Sequence, residues 1–183
     1  MASVLVPLAQ GCEELEAVTV VDLLRRAGIE VVTAGLDAQP VTASRGMTLL
    51  PDMTLEMALQ QSFDMVVLPG GLPGADHLGD DPRVIRLLQD MAASDAYTAA
   101  ICAAPRVLAR AGLLDGKRAT SYPGALDIEA VPGIEYLETA VVTDGRVITS
   151  RGPGTAMDFA LVLIETLVGK TKRDEVEAGL QRG

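Results

Sequence analysis

The sequence predicts an α/β protein with a doubly wound, mostly parallel sheet sandwiched between helices. Short, continuous apolar runs such as 65–68 are typical of strands buried on both faces of a parallel sheet. Helical segments separate these runs, so strands and helices alternate along the chain. The 183 residues, of which 49% are hydrophobic, suffice for a single domain, 1–183, with a large core.

The first elements form a β-α-β unit. Residues 4–8 are a short apolar run that predicts the first strand. Residues 13–27 predict a helix, because their apolar positions recur every three or four residues along one face. Gly28 ends this helix, and 30–36 form the second strand. A helical connection of this length is typical of a right-handed crossover between parallel strands.

The later elements continue the alternation. They are predicted as two short strands around 44–46, a brief helix over 55–60, a strand over 65–68, a loop over 71–77, a helix over 82–94, a strand over 97–101, a helix over 103–111, a hairpin over 141–149 and helices over 155–168 and 172–181. The hairpin prediction depends on Asp144-Gly145, which lies between two β-rich runs. Thr155, with Asp158 three residues later, is predicted to cap the helix that follows.

Charge and cysteine content argue against several classes of protein. The net charge is −10 and the basic residues are scattered, whereas a nucleic-acid surface needs a basic stripe. No apolar run approaches the roughly 20 residues of a membrane span, and the start of the chain does not resemble a signal peptide. Two cysteines make neither a disulfide framework nor a zinc site. We therefore predict a cytoplasmic protein without a metal or cofactor.

The stretch around Cys102 has the pattern of a nucleophile elbow. Cys102 directly follows the predicted strand over 97–101 and precedes a helix. A nucleophile on so sharp a turn requires small residues two positions before and after it, and Ala100 and Ala104 are small. The helix N-terminus is expected to lower the pKa of the thiol toward the thiolate. The alternative is a buried cysteine that acts as a small hydrophobic residue.

Further candidates follow other predicted strands, so they are expected at the same edge of the sheet. Gly70 and Gly71 allow backbone N–H groups to point at a ligand, as in an oxyanion hole; the alternative is a pair of turn glycines. Glu13 and Glu16 begin the first helix, where carboxylates usually only favour the helix dipole. Both flank its apolar face, and a partly desolvated carboxyl there keeps its proton and donates to a thiolate. Spacing does not choose between them.

Other residues leave two interpretations open. His77 is the only histidine, so a Cys–His pair requires it, but a solvated loop histidine is the commoner case. Cys12 is either a second redox thiol or a small turn residue. Arg26, Arg45 and Arg151 either hold an anion or are ordinary surface arginines.

Together these motifs resemble the DJ-1 branch of the DJ-1/PfpI superfamily over nearly the whole chain. The matching segments are 13–16, 23–29, 44–46, 67–71, 99–105 and 149–155. The resemblance implies a flavodoxin-like fold, a homodimer, and Cys102 as the reactive cysteine with Glu16 as its protonated partner. The implied positions around them are the backbone amides of Gly71 and Ala103 in an oxyanion-type site, and Arg26 and Arg45 near the pocket mouth.

One position departs from the family pattern. The family often places a histidine before a proline near the cysteine, and Tyr122 stands there, ahead of Pro123. We therefore expect acid–base work to fall on Glu16, with Tyr122 donating a hydrogen bond, which weakens a protease interpretation.

The resemblance also implies activities. One class is enzymatic: glutathione-independent glyoxalase or protein deglycase chemistry on methylglyoxal, glyoxal or their adducts, with small reactive aldehydes or glycated groups as partners. The alternatives are redox sensing through a sulfinate at Cys102 and chaperone-like binding.

Overall fold

Residues 1–182, which the computed structural model describes, alternate between short strands and helices. The strands are β1 (Ser3–Leu8), β2 (Glu30–Gly35), β3 (Val41–Thr42), β4 (Thr48–Leu49), β5 (Met53–Thr54), β6 (Met65–Leu68), β7 (Tyr97–Ile101), β8 (Arg118–Ala119), β9 (Glu135–Tyr136), β10 (Val141–Asp144) and β11 (Val147–Ser150). The helices are α1 (Glu14–Arg26), α2 (Leu55–Ala58), α3 (Gly74–Asp80), α4 (Pro82–Ala93), α5 (Pro105–Arg110), α6 (Ala156–Val168) and α7 (Lys170–Gly179). Within this part of the chain, no helix has the length and apolar content to cross a bilayer.

Seven of the strands form one sheet in the order β10-β11-β7-β6-β1-β2-β5. Strand β1 pairs in parallel with β2 on one side and β6 on the other. The chain winds outwards in both directions from β1, so the switch point of the sheet lies between β1 and β6. The pair β10–β11 is the antiparallel part, a hairpin around Gly145. This confirms the predicted doubly wound, mostly parallel sheet and its flavodoxin-like architecture.

Strand side chains alternate between two core layers. In β1, Val4 and Val6 pack in the layer that contains α1 and α6, whereas Leu5 packs in the layer of α4 and α5. Because both faces are covered, the central strands have no polar face, and this explains their continuous apolar runs. Burying each such side chain contributes about 1.5–3 kcal/mol relative to exposing it.

The predicted loop over 71–77 is wrong in its second half, because residues from Gly74 onwards form helix α3. The first turn is held by bonds from the Ala75 and His77 N–H groups to the carbonyls of Gly71 and Pro73. A Cβ on Gly74 would lie 2.6 Å from the Cys12 nitrogen. Glycine is therefore required there for close packing, and the glycine content of the segment does not indicate a loop.

Thr155 does not cap α6 as predicted. Its Oγ1 donates to the Gly152 carbonyl over 2.9 Å, accepts from the Gly152 N–H over 3.1 Å and lies 2.8 Å from Ser150 Oγ. Thr155 thus closes the turn between β11 and α6, which is adjacent to the candidate site.

Candidate active site

The carboxyl ends of three neighbouring strands, β1, β6 and β7, meet at one edge of the sheet. The turns that follow them carry Glu13, Gly71 and Cys102. A cavity of about 490 Å³ opens at this edge. Its lining residues are Glu13, Ser44, Arg45, Gly71, Leu72, Cys102, Ala103, Arg106, Tyr122, Pro123, Gly124, Ala125 and Pro153.

Cys102 lies on a sharp turn between β7 and α5. Its backbone φ is 62°, in the left-handed region that residues other than glycine seldom adopt. Such backbone strain costs about 1–3 kcal/mol, and two hydrogen bonds hold it: the Cys102 N–H donates to the Ser150 carbonyl over 3.0 Å, and its carbonyl accepts from the Tyr122 N–H over 2.8 Å. Ala100 and Ala104 are fully buried on either side. This is the geometry of a nucleophile elbow, and Cys102 as a residue is 9% exposed and lines the cavity.

Glu16 is fully buried at the start of α1 and reaches the same point. Its Oε2 accepts from the Gly70 N–H over 2.8 Å, and the Cys102 side chain interacts with the same carboxyl. Within residues 1–182, Oε1 is buried without a well-aligned hydrogen-bond partner. Burial raises the pKa of Glu16 to about 7, against the lowering effect of the Gly70 and Cys102 hydrogen bonds.

The carboxylates of Glu13 and Glu14 bind the turn that contains Ser44 and Arg45. The Glu13 carboxylate accepts from Ser44 Oγ over 2.8 Å at the cavity wall. Glu14 accepts from the Arg45 N–H over 2.9 Å. Burial raises the pKa of Glu14, but backbone hydrogen bonds, including those from Arg45 and Met47, outweigh it and hold that pKa below its usual range. The geometry therefore separates the two candidates that spacing left equal, because Glu16 alone of the pair contacts Cys102.

Gly70 and Gly71 have different roles. The N–H of Gly70 is occupied by Glu16, so the prediction that Gly70 belongs to the oxyanion-type site is wrong. Gly70 instead allows Cys102 and Glu16 to meet, since a Cβ there would lie 2.6 Å from Cys102 Cβ and 2.8 Å from Glu16 Oε2. The N–H groups of Gly71 and Ala103 interact with the Cys102 sulfur and lower its pKa. They are therefore positioned to stabilise negative charge at this point.

The pKa of Cys102 does not follow the sequence-based expectation. Burial, then the charge of Glu16 and the hydrogen bond with it, raise that pKa to about 12, although the Gly71 and Ala103 amides oppose the rise. The expected help from the helix dipole is small, because α5 is six residues long and begins at Pro105. Two of the effects that raise the Cys102 pKa, the charge of Glu16 and the hydrogen bond with it, require an ionised Glu16. When Glu16 holds the proton, burial remains as the raising cause and the two amides oppose it.

Tyr122 and Arg45 lie in the cavity wall as the resemblance implies. Tyr122 is 52% exposed, and a Cβ on Gly152 would lie 3.2 Å from its ring. Arg45 is exposed, and its backbone rather than its side chain is held by Glu14. Both side chains are free to meet a molecule that enters the cavity.

Arg26, Arg151 and His77 do not line the cavity. Arg26 ends α1, about 15 Å along the helix from Glu16, and pairs with Asp22 over 2.6 Å. Within one chain Arg26 therefore lies away from the cavity, and its implied place at the pocket mouth stays a prediction. His77 is exposed on α3, with Nδ1 3.0 Å from the Gln10 carbonyl oxygen. A Cys–His pair is thus not formed.

Cys12 is a fully buried turn residue. Its N–H donates to the Ala9 carbonyl and its carbonyl accepts from the Ser44 N–H. Burial, and then the charge of Glu14, raise the pKa of the Cys12 thiol to about 11. The structure therefore favours the small turn residue over the second redox thiol.

Sequence reasoning missed two residues at this edge. Arg106 lines the cavity from the first turn of α5, and Ser44 lines it from the β3–β4 turn. Arg106 lies four residues after Cys102, and the first turn of the helix behind an elbow is the signal that would have indicated it. Ser44 lies in the segment 44–46 that carries part of the family resemblance, and that segment was the available signal.

Comparison with known proteins gives consistent matches. A model of the DJ-1/PfpI family matches residues 2–166. The chain is 47% identical over 180 residues to protein dj-1beta of Drosophila melanogaster, covering 97% of this chain and 96% of that protein. It is 37% identical over 175 residues to glutathione-independent glyoxalase DJR-1.2 of Caenorhabditis elegans, covering 96% and 92%.

Solved structures of the same family also match the fold of this chain. The crystal structure of Drosophila melanogaster DJ-1beta superposes with a TM-score of 0.94 at 46% sequence identity, covering 100% of this chain and 98% of that one. A family match over most of the length, close relatives and the cysteine elbow beside a buried glutamate all agree. The chain belongs to the DJ-1/PfpI family.

Proposed function

We propose that this protein is a cysteine-dependent enzyme that converts small reactive dicarbonyl compounds without glutathione. The observation that carries the proposal is the contact between Cys102 and the buried carboxyl of Glu16 at the base of an open cavity. The relative from Caenorhabditis elegans that is called a glutathione-independent glyoxalase supports the reaction class.

The chemistry begins with addition of the Cys102 thiolate to the aldehyde carbon of methylglyoxal. A C–S bond forms and the carbonyl π electrons move to oxygen, giving a hemithioacetal alkoxide. The Gly71 and Ala103 N–H groups stabilise this oxyanion, and Glu16 delivers its proton. The Glu16 carboxylate then removes the C1 proton and returns it to C2, while the C1 hydroxyl proton passes to the C2 oxygen. The product is a lactoyl thioester, which water hydrolyses to lactate and free Cys102. The overall reaction converts methylglyoxal and water to lactate and needs no external oxidant or reductant.

Glu16 suits this proton shuttle because its pKa of about 7 places both of its protonation states within reach at neutral pH. With the proton on Glu16, the negative charge that raises the pKa of Cys102 is absent and thiolate formation becomes easier. The reactive form therefore has a protonated Glu16 beside a Cys102 thiolate.

The test is production of lactate from methylglyoxal without glutathione. We expect activity in the wild-type chain, a loss of at least about a thousandfold in C102S, and full activity in the control C12S, because Cys12 lies outside the cavity. Equal rates in wild type and C102S would remove this proposal.

Deglycase activity would use the same groups on an adduct. Here the leaving group is an amine or thiol that already carries methylglyoxal, and the open cavity offers it room. At a fixed concentration of free methylglyoxal, the rate should rise with the concentration of intact adduct. A rate that follows free methylglyoxal alone would restrict the activity to the glyoxalase reaction.

Redox sensing through Cys102 is the second candidate. Cys102 reaches the cavity, whereas Cys12 is fully buried, so peroxide meets one thiol. The Gly71 and Ala103 amides and a protonated Glu16 would hold the sulfinate. Mass spectrometry after mild peroxide should find two added oxygens on Cys102 and none on Cys12. A Cys12–Cys102 disulfide as the end product would contradict this role.

We also propose that the chain forms a homodimer through the outer side of α1. Val18 and Leu50 are exposed there and line an apolar groove with Val21 and Leu49. Light scattering should give twice the chain mass for the wild type. The double variant V18E/L50E should shift toward the monomer, and a monomeric wild type would refute the dimer.

A further inference from the structure

Arg106 connects the two sides of the cavity. Its side chain lines the cavity and is 34% exposed. Its Nε donates to the Ala125 carbonyl over 3.0 Å, and its Nη1 donates to Asp76 Oδ1 over 2.8 Å. Asp76 belongs to α3, the helix that follows Gly71. One guanidinium group therefore joins the elbow helix, α3 and the turn over 122–125.

The turn over 122–125 is held by hydrogen bonds at both ends, and Arg106 makes the one at Ala125. The turn is closed by a bond from the Ala125 N–H to the Tyr122 carbonyl over 2.9 Å, and it presents Tyr122 and Pro123 to the cavity. At its start, the Tyr122 N–H is bonded to the Cys102 carbonyl. At its end, Arg106 holds the Ala125 carbonyl and Leu126 packs in the core, whereas residues 127–130 are exposed. Arg106 therefore provides the hydrogen bond that holds this end of the turn beside the cavity, in addition to the packing of Leu126.

A second ion pair on the same two helices provides a contrast. Arg110 lies one turn later in α5 and bonds to Asp80 Oδ1, one turn later in α3, over 2.5 Å. Arg110 is 58% exposed and does not line the cavity. The two pairs make the same link between helices, but the Arg106 pair alone reaches the turn that carries Tyr122.

We propose that Arg106 is a positioning residue: it holds the Tyr122 turn against Cys102 and so sets how tightly the cavity binds its substrate. For a carbonyl substrate, this rests on the proposed function. Methionine has a similar length but donates no hydrogen bond, so Arg106→Met removes the bond at Ala125 and leaves the Tyr122–Cys102 bond and the packing of Leu126 to hold the turn. Cys102 and Glu16 are untouched by the change, so binding weakens more than chemistry.

The first test is the kinetics of methylglyoxal conversion. We expect R106M to raise KM about tenfold with kcat within about twofold of wild type, since it removes two charge-assisted hydrogen bonds whose partners are Ala125 and Asp76 rather than Cys102 or Glu16. R110M removes the matched ion pair and should change neither constant. R106K should fall between wild type and R106M, because an ammonium group reaches one of the two acceptors.

The second test does not require turnover. N-ethylmaleimide should alkylate Cys102 several-fold faster in R106M than in wild type, because the turn over the cavity is loosened, and R110M should keep the wild-type rate. If the wild type does not convert methylglyoxal, the proposed function fails and the alkylation rates still decide the role of Arg106. R106M matching R110M in either measurement, or a loss confined to kcat, would overturn the proposal.

Discussion

The turns after β1 and β7 each carry a buried cysteine at the same edge of the sheet, yet their environments differ. Both cysteines have their backbone N–H and carbonyl hydrogen-bonded, but Cys12 is fully buried. Cys102 has a strained φ of 62°, faces a cavity and contacts the carboxyl of Glu16. Burial raises the pKa of both thiols, so burial does not distinguish them. What distinguishes them is access to the cavity and a hydrogen bond with the carboxyl of Glu16, which Cys102 has.

The largest expected effect comes from adding one methyl group at Gly70, between Cys102 and Glu16. Gly70→Ala should abolish activity and destabilise the fold by about 1–3 kcal/mol, because the added Cβ overlaps Cys102, Glu16 and the Ile101 carbonyl. The control is Gly79→Ala in α3, whose Cβ would meet nothing closer than 3.7 Å. Thermal unfolding and activity assays of both variants measure the difference. Normal activity in G70A would show that the close contact is not needed.

A second prediction addresses the two thiols directly. In the folded protein, iodoacetamide should modify Cys102 at least about a thousandfold faster than Cys12, because Cys12 reacts only when the structure opens. Peptide mass spectrometry over time measures both rates in one sample. In urea the two rates should converge. Comparable rates in the native protein would end the distinction between the two turns.

The third prediction concerns pH. Burial raises the pKa of Glu16 from an ordinary 4.5 to about 7, so the folded state binds more protons than the unfolded state between these values. Stability should therefore fall as pH rises from about 4.5 through 7, by about 3 kcal/mol in total from this group. Glu16→Gln should flatten this slope, so that the variant gains on wild type above pH 7. Urea unfolding at pH 5 and pH 8 measures it, and parallel curves for the two proteins would contradict a buried, titrating Glu16.

The smallest expected effect is at Arg26, which lies away from both turns. Arg26→Ala removes an exposed pair with Asp22 and should change stability by less than about 1 kcal/mol. Arg45→Ala removes a cavity-lining side chain and should raise KM for methylglyoxal. Measuring KM for methylglyoxal in both variants would show which of the two arginines belongs to the substrate site. An equal rise in KM for both would place Arg26 in the site after all.

Local patterns predicted the elements that depend on local information. The apolar run of β6 and the periodicity of α1 identify a buried strand and an amphipathic helix, and both are observed. The small residues around Cys102 predicted the elbow, because steric limits on a sharp turn apply to adjacent residues. Helix α3 was missed, because its glycines are required by packing against Cys12, which the segment itself does not reveal.

The sequence by itself determined the alternation of strands and helices, and with it the edge of the sheet at which Cys102, Gly71 and Glu16 gather. Residue spacing did not choose between Glu13 and Glu16; the resemblance implied Glu16, and only the tertiary structure gives the physical reason, since Glu16 and Gly70 are 54 positions apart and bond only after the strands are ordered. The tertiary structure also decided the direction of the Cys102 pKa shift and the connection made by Arg106. Desolvation and long-range contacts depend on what surrounds a group in space, and residue spacing carries no measure of either.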